Sequence, residues 1–111
     1  MGKPLAKLML DRDATVTICH SQTKKVENYT KTAGILVTAV GRRPDFVVTV
    51  DMITQGSIVI DVGMNYLDEG LRGDVNFEEL KEKTSYITPV PGGVGPMTRV
   101  SLLENVVIAS R

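Results

Sequence analysis

A ten-residue stretch near the C-terminal end, Pro-Val-Pro-Gly-Gly-Val-Gly-Pro-Met-Thr at positions 89–98, constrains the fold more than any other part of the chain. It holds three of the five prolines and three of the ten glycines. Glycine opens backbone angles that other residues avoid, and proline fixes its own, so the stretch predicts a loop of one defined shape. An apolar run at 100–108 follows, which puts Pro96 in or just before the first turn of a helix.

The free N–H groups and the positive dipole end at the start of a helix suit a phosphate or another polar ligand group. The alternative for this stretch is a sharp turn that binds nothing. The upstream sequence favours the first interpretation.

The composition narrows the functional classes. A length of 111 residues allows one domain. Thirteen basic and thirteen acidic residues give no net charge, which argues against a nucleic-acid partner or an anionic membrane. The apolar runs are too short to span a bilayer. A single cysteine excludes an internal disulfide and a cysteine-based zinc site, so we expect no metal and a reducing, cytoplasmic location.

Strand and helix signals alternate along the chain. The β-branched residues of 14–19 predict a strand, and the nearly continuous apolar runs at 35–40 and 57–62 predict strands that are buried on both faces. The last strand is predicted at 86–90. Helices are predicted at 4–10, 24–32, 50–53, 77–83 and 100–108, with an excursion or small hairpin at 64–76. This alternation indicates an α/β fold with a parallel sheet and flanking helices.

In such a fold, ligands bind where the carboxyl ends of the strands meet. The residues that follow the predicted strands are all small, polar or glycine-bearing: His20-Ser21, Gly41, Gly63-Met64-Asn65 and Pro91-Gly92-Gly93. The repetition at four strand ends predicts a binding edge.

The first strand of a dinucleotide-binding fold has no counterpart in this sequence. That fold opens with a strand and a glycine-rich turn, whereas this chain opens with Gly2-Lys3-Pro4, which already reads as the start of a helix. The first strand occupies the centre of the sheet, so its loss would separate the strand at 14–19 from the one at 35–40. We therefore expect a Rossmann-like parallel sheet that lacks its first, central strand, in a chain that is a fragment or one part of a larger assembly.

The loop after the first predicted strand favours NADP over NAD. An NAD enzyme typically places an acidic residue here to bind the ribose 2′-hydroxyl. Residues 15–26 contain no acid and instead offer Ser21, Thr23, Lys24 and Lys25, which suit a 2′-phosphate. The alternative is a solvated loop. His20 has no carboxylate partner in view, so we interpret it as structural, and we assign Asp61, inside an apolar strand, a structural role as well.

Six segments in order resemble one family. They are Gly2-Lys3-Pro4, 14–21 (Ala-Thr-Val-Thr-Ile-Cys-His-Ser), Ala39-Val40-Gly41, 59–65 (Val-Ile-Asp-Val-Gly-Met-Asn), Gly73-Asp74-Val75 and 87–98 (Ile-Thr-Pro-Val-Pro-Gly-Gly-Val-Gly-Pro-Met-Thr). The chain resembles the C-terminal, cofactor-binding part of the bifunctional methylenetetrahydrofolate dehydrogenase/methenyltetrahydrofolate cyclohydrolases.

The resemblance implies a two-domain parent enzyme of one-carbon folate metabolism. That enzyme would transfer hydride from 5,10-methylenetetrahydrofolate to NADP, and would then hydrolyse the methenyl product to 10-formyltetrahydrofolate. The family's catalytic Tyr and Lys, and its Gly-Arg-Ser phosphate loop, would lie before Met1. Residues 1–111 would then be a single, truncated NAD(P)-binding domain with no catalytic residue and little or no activity alone. The parent would share its folate substrate between domains and form a homodimer.

The resemblance and the strand-end pattern together give two sets of candidate site residues. Met64 stands where the family commonly has Ile, and Thr98 is expected both to cap the last helix and to contact the cofactor. The cofactor set is Ser21, Thr23, Gly41, Gly63, Met64, Asn65 and Thr98. The set expected to form the floor between folate and nicotinamide is Pro91, Gly92, Gly93, Val94, Gly95 and Pro96.

Two other functions remain open at this point. The first is a non-catalytic, truncated fragment that self-associates through its incomplete sheet. Another Rossmann-type dehydrogenase is disfavoured, because such an enzyme would not predict the sequence at 91–98.

Overall fold

The computed structural model describes all 111 residues. The strands are β1 (Ile35–Thr38), β2 (Ile58–Asp61), β3 (Asn65–Leu67), β4 (Gly70–Arg72) and β5 (Tyr86–Ile87). The helices are α1 (Gly2–Leu10), α2 (Glu27–Thr30), α3 (Phe77–Leu80) and α4 (Val94–Ala109), and Val50–Met52 form one turn of 3₁₀ helix.

A parallel sheet in the order β1-β2-β5 confirms the predicted α/β class. Ile35 pairs with Ile58 at one end of the β1–β2 ladder, and Thr38 pairs with Asp61 at the other. The predicted excursion after β2 is an antiparallel hairpin, in which Asn65 of β3 is paired with Arg72 of β4. The hairpin therefore leaves the carboxyl end of β2 and brings the chain back beside it.

The hydrophobic core lies on one face of the sheet. Its fully buried members are Val48, Ile53, Val59, Val75 and Leu80. The prediction that the strands at 35–40 and 57–62 are buried on both faces is wrong: Ile35 is 48% exposed, and Ile58 and Ile60 are only half-buried. Successive side chains of a strand point to opposite faces, and only the face that carries Val59 is covered by this core.

The strand predicted at 14–19 does not form. Residues 15–19 take part in no backbone hydrogen bond, although helix α1 ends just before them as predicted. A strand needs a neighbour to satisfy its N–H and C=O groups, and β1 pairs only with β2, so its other side is open. This arrangement agrees with the predicted gap at the centre of the sheet.

Several elements are shorter than predicted, and the last helix is longer. Helix α2 covers four of the residues predicted at 24–32, α3 covers four of those at 77–83, and β5 has two residues. Helix α4 begins at Val94, so Pro96 lies in its first turn as expected.

Helix α4 carries apolar side chains around its whole circumference. None of its residues is buried, and seven of its large apolar side chains are more than half exposed: Met97, Val100, Leu102, Leu103, Val106, Val107 and Ile108. A helix that is apolar on all sides normally lies in the interior of a larger protein. Even so, no helix of this chain has the length and hydropathy required to cross a lipid bilayer.

Candidate functional site

The loops that follow β1 and β2 meet at the carboxyl edge of the sheet. Gly41 has a φ of +65°, and a Cβ atom on it would lie 3.7 Å from the carbonyl oxygen of Met64. Glycine adopts this left-handed conformation without strain, and it leaves the backbone bare. The Met64 side chain beside it is 58% exposed. The edge therefore presents a bare backbone and an apolar side chain next to each other.

A buried carboxylate, Asp74, holds the loop after β1. Its side chain is fully buried, and its Oδ2 accepts a hydrogen bond from the Val40 N–H at 2.6 Å. Its Oδ1 accepts from the Gly41 N–H at 2.9 Å. Both backbone donors after β1 thus point at one carboxylate, which comes from the segment that follows β4.

A second buried carboxylate, Asp61, ends β2 and holds the return of the hairpin. It is 1% exposed, and its Oδ1 accepts from the Gly63 N–H at 2.9 Å and the Asp74 N–H at 3.0 Å. The Thr38 hydroxyl also donates to Oδ1, at 3.1 Å, and the Val75 N–H donates to Oδ2 at 3.2 Å. These bonds fit the structural role predicted for Asp61, because hydrogen bonds from several donors offset the cost of burying a charge.

Two glycines make room for the two carboxylates. A Cβ atom on Gly63 would fall on the Asp74 carboxyl group, and one on Gly73 would fall on the Asp61 carboxyl group. Gly63 and Gly73 are both buried. Each carboxylate is therefore packed directly against a glycine of the opposite segment.

Asn65 belongs to the same network. It is 5% exposed, its Oδ1 accepts from the Arg43 N–H at 2.9 Å, and its Nδ2 donates to Asp74 Oδ1 at 3.1 Å. Nδ2 also lies within hydrogen-bond distance of the Gly73 carbonyl oxygen, at 3.0 Å. The side chain of this candidate cofactor residue is thus occupied inside the protein.

The candidate residues Ser21 and Thr23 lie in a tight turn. The His20 N–H donates to the Thr23 hydroxyl at 2.9 Å, and the Thr23 N–H donates to the His20 carbonyl at 2.8 Å. The His20 ring accepts from the Gln22 N–H at 3.2 Å, in keeping with a structural role. Ser21 is exposed and its hydroxyl makes no hydrogen bond within the chain, so it remains available to a ligand.

The glycine- and proline-rich loop is shaped by a close backbone approach. A Cβ atom on Gly93 would collide with the carbonyl oxygen of Pro89, and Gly92 has a φ of +97°. Pro91, Gly92, Gly95 and Pro96 are exposed, whereas Gly93 and Val94 are half-buried.

The prediction that Thr98 caps the last helix is wrong. Helix α4 starts four residues earlier, with Gly93 at its N-cap and no side-chain cap. The Thr98 hydroxyl instead donates to the Val94 carbonyl at 3.1 Å, inside the first turns of the helix. The reason is that the loop becomes helical as soon as Gly93 has turned the chain.

The structure brings some of the candidate residues together and leaves others apart. Gly41, Gly63, Met64 and Asn65 form one cluster around Asp74, and the Thr88 hydroxyl, which accepts from the Asp61 N–H at 2.8 Å, joins the end of β5 to β2. The turn at 20–23 makes no hydrogen bond to this cluster. A cavity of about 290 Å³ lies beside Asp61 and Arg43 but is lined by none of the candidate cofactor residues. The candidate site is therefore an open edge.

Asp74 is the residue of the site that the sequence did not single out. An aspartate after a glycine, at the end of a hairpin, is typical of a solvent-exposed turn. The only signal was its place in the segment Gly73-Asp74-Val75 of the family resemblance.

Comparison with known proteins decides the family. Residues 1–111 match the family described as "tetrahydrofolate dehydrogenase/cyclohydrolase, NAD(P)-binding domain". The chain belongs to this family. The family's sequence profile covers every residue of the chain, which supports the cofactor-binding interpretation over a non-catalytic fragment.

Curated relatives are similar over the full length of the chain. The bifunctional protein FolD of Lactobacillus helveticus is 56% identical over 111 residues, which are 100% of this chain and 39% of that protein. The FolD protein of Natranaerobius thermophilus is 55% identical over 111 residues, with 38% of it covered. The chain thus spans less than two fifths of the length of these relatives.

Solved structures of the family share the fold. The FolD methylenetetrahydrofolate dehydrogenase/cyclohydrolase of Campylobacter jejuni superposes with a TM-score of 0.88 at 50% identity, over 96% of this chain and 37% of that one. The Trypanosoma brucei enzyme, solved in complex with NADP cofactor and an inhibitor, has a TM-score of 0.82 at 38% identity, over 96% of this chain and 38% of that one. The three-stranded parallel sheet therefore belongs to a Rossmann-like NAD(P)-binding domain.

Proposed function

We propose that the 111 residues are the cofactor-binding domain of a longer enzyme. In that enzyme 5,10-methylenetetrahydrofolate loses a hydride to NADP, and water then opens the methenyl product to 10-formyltetrahydrofolate. The observation that carries the proposal is the carboxyl edge at Gly41 and Met64, in a chain that matches an NAD(P)-binding domain from end to end. The bound nicotinamide supplies the hydride acceptor, and this domain supplies its binding and orientation.

Two features of the surface support a longer protein. Helix α4 exposes apolar side chains on all sides, and the open side of β1 has unpaired backbone groups. Each would be covered by further chain, an N-terminal catalytic domain in the first case and a central strand in the second. The curated relatives, of which the chain covers 38–39%, are long enough to include both.

The turn at 20–23 supports NADP as the dinucleotide. The exposed Ser21 hydroxyl is free, and the Thr23 hydroxyl keeps its hydrogen to donate, since it acts as an acceptor for the His20 N–H. Lys24 and Lys25 are exposed next to them. Two hydroxyl donors and two cations suit the 2′-phosphate of NADP, and residues 15–26 contain no acid that would bind the 2′-hydroxyl of NAD.

The other candidate residues take their roles from their positions. Gly41, Met64 and Thr98, which are exposed, would line the path of the dinucleotide from the sheet edge to helix α4, and the buried Gly63 and Asn65 would support that edge from inside the protein. The exposed loop at 91–96 would form the floor beneath the folate and the nicotinamide. The complete enzyme would be a homodimer. Its location would be the cytoplasm, a reducing compartment that suits the free thiol of Cys19, whose pKa is raised by burial.

The test uses the complete gene product and the variant Ser21→Asp. The unchanged protein should oxidise 5,10-methylenetetrahydrofolate with NADP, as followed by the absorbance of the reduced nicotinamide. Because a carboxylate at position 21 would repel the 2′-phosphate, the KM for NADP should rise about tenfold or more, while the KM for NAD should not rise.

Gln55→Glu is the matched control, since it adds one negative charge to an exposed loop before β2, at the other end of the sheet. Both KM values should stay within about twofold of those of the unchanged protein, because exposed charges that far apart are largely screened. A complete protein that oxidises the folate with neither dinucleotide would contradict the function. An unchanged KM for NADP in Ser21→Asp would contradict the placement of Ser21.

A further inference from the structure

We propose that Asp74 is a positioning residue for dinucleotide binding, one that sets the backbone of Val40 and Gly41 without touching the ligand. The inference rests on the proposed function, because it concerns the same edge of the sheet. It goes beyond that function by assigning the geometry of the edge to a buried carboxylate of the hairpin.

The first argument is the number and direction of the hydrogen bonds. Two successive backbone N–H groups, of Val40 and Gly41, donate to the two oxygens of Asp74 at 2.6 Å and 2.9 Å. This is a fork that fixes the plane of the peptide between them. Gly41 also has a positive φ. The carboxylate therefore holds Gly41 in the left-handed conformation that leaves its backbone accessible to a ligand.

The second argument is that Asp74 itself has no freedom. Its side chain is fully buried and packs against Gly63, and its Oδ1 accepts a further hydrogen bond from Asn65 at 3.1 Å. Its own N–H donates to Asp61 at 3.0 Å. The carboxylate is therefore fixed relative to β2 and transmits that position to the loop after β1.

The third argument is that the hydrogen bonds of Asp74 reach the loop after β1 but not the loop proposed to bind the folate. Asp74 accepts no hydrogen bond from the loop at 91–96, the proposed floor for the folate. Hydride transfer needs the dinucleotide, whereas the hydrolysis of the methenyl group consumes none. Loss of the Asp74 carboxylate should thus affect the first reaction more than the second.

The variant Asp74→Asn tests this with almost no change in shape. If the asparagine amide nitrogen takes the Oδ2 position, it faces the Val40 N–H; if it takes the Oδ1 position, it faces the two donors from Gly41 and Asn65. The first orientation loses one hydrogen bond instead of two, and we expect it to be preferred. It places the amide NH₂ against the Val40 N–H, so that two donors face each other. The loop after β1 should then move, while the Gly41 contact persists.

The experiment compares two activities of the complete gene product. We expect Asp74→Asn to raise the KM for NADP in the dehydrogenase reaction. The cyclohydrolase is assayed with the methenyl substrate and no dinucleotide, and the rise in KM should exceed any fold-change in its kcat/KM by about tenfold to a hundredfold. Calorimetric titration with NADP should show the same fold-change in Kd. Asp68→Asn, which removes the same charge from an exposed position of the hairpin, is the control and should change neither quantity more than twofold.

Two results would overturn the inference. One is an unchanged KM and Kd for NADP, and the other is a loss of both activities in the same proportion, which indicates a merely structural role. If the unchanged protein has neither activity and does not bind NADP, the proposed function itself fails and this inference fails with it. Should Asp74→Asn not fold, amide hydrogen exchange in the unchanged complete protein tests the same point. The amides of Val40 and Gly41, which donate to Asp74, should be protected without NADP to within about threefold of their protection with it, and protection gained only on NADP binding would refute the role.

Discussion

Replacing Asp61 with asparagine should loosen the carboxyl edge by a calculable amount. The Asp61 carboxylate accepts three hydrogen bonds at Oδ1 and one, from the Val75 N–H, at Oδ2. The asparagine will keep its oxygen at the Oδ1 position, because the opposite orientation would place its NH₂ group, itself a donor, against the three groups that donate there. Its nitrogen then lies against the Val75 N–H, and that buried donor loses its partner.

The magnitude follows from this one contact. A hydrogen bond to a charged group contributes about 1.5–3 kcal/mol, and the bonds that remain at Oδ1 become neutral and weaker. A total loss of about 3 kcal/mol corresponds to roughly a hundredfold change in the equilibrium for opening this region.

Amide hydrogen exchange in the complete protein measures that equilibrium directly. The amides of Gly63, Asp74 and Val75 should exchange roughly a hundredfold faster in Asp61→Asn than in the unchanged protein. The exposed Asp45→Asn variant removes the same charge and should leave their exchange unaltered. Exchange at Val75 that stays within threefold would refute the view that these hydrogen bonds hold the hairpin to β2.

Three further substitutions test the packing. Gly73→Ala pushes a methyl group into the Asp61 carboxylate and should lower the free energy of unfolding, measured by thermal unfolding, by about 1–3 kcal/mol. The control is Gly34→Ala, whose Cβ has no atom within 4 Å and which should lower the free energy of unfolding far less; equal losses would contradict the packing. Ser57→Ala removes a buried hydroxyl that has no hydrogen-bond partner, so stability should be unchanged or rise by up to about 1 kcal/mol, and a loss larger than that would reveal a missing partner. Leu80→Ala empties a fully buried core position and should cost about 2–5 kcal/mol in urea unfolding; a loss under 1 kcal/mol would show that the core rearranges freely.

The sequence predicted the elements that are defined by local signals. The apolar runs that contain Ile35–Thr38 and Ile58–Asp61 became parallel neighbours, and the glycines between 64 and 76 marked a hairpin. The dense proline and glycine stretch correctly predicted that Pro96 lies in the first turn of the last helix, although that helix begins six residues before position 100. In each case the signal lies within the element itself, so no distant partner was needed to interpret it.

Elements that depend on a partner were not predictable in the same way. Residues 14–19 have the composition of a strand, yet a strand exists only where a neighbour receives its hydrogen bonds, and β1 offers no chain on that side. The prediction that β1 and β2 are buried on both faces failed for a related reason. Ile58 and Ile60, on the face opposite Val59, are only half-buried, because the core packs on the Val59 face alone. The composition of a segment therefore indicates only that a strand is possible, and pairing with neighbouring chain determines whether the strand forms.

The buried carboxylates show a third kind of limit. Asp74 reaches Val40 across 34 positions of sequence, and only the closing of the hairpin brings the two together. A charge pattern along the chain contains no trace of such a contact. The role of Asp61 was easier to infer, because an acid within an apolar strand needs donors wherever they come from.

The reciprocal packing of two aspartates against two glycines also restricts how this domain can diverge. Gly63 accommodates Asp74, and Gly73 accommodates Asp61, so that each of the segments 61–63 and 73–74 contributes one aspartate and one glycine to the other. A mutation at either glycine is harmful while its aspartate remains, and it becomes tolerable only after that aspartate has been lost. Lineages should therefore change these positions in pairs, and a chimera whose crossover falls between 63 and 73 should fold well only when both parents carry the same pairs.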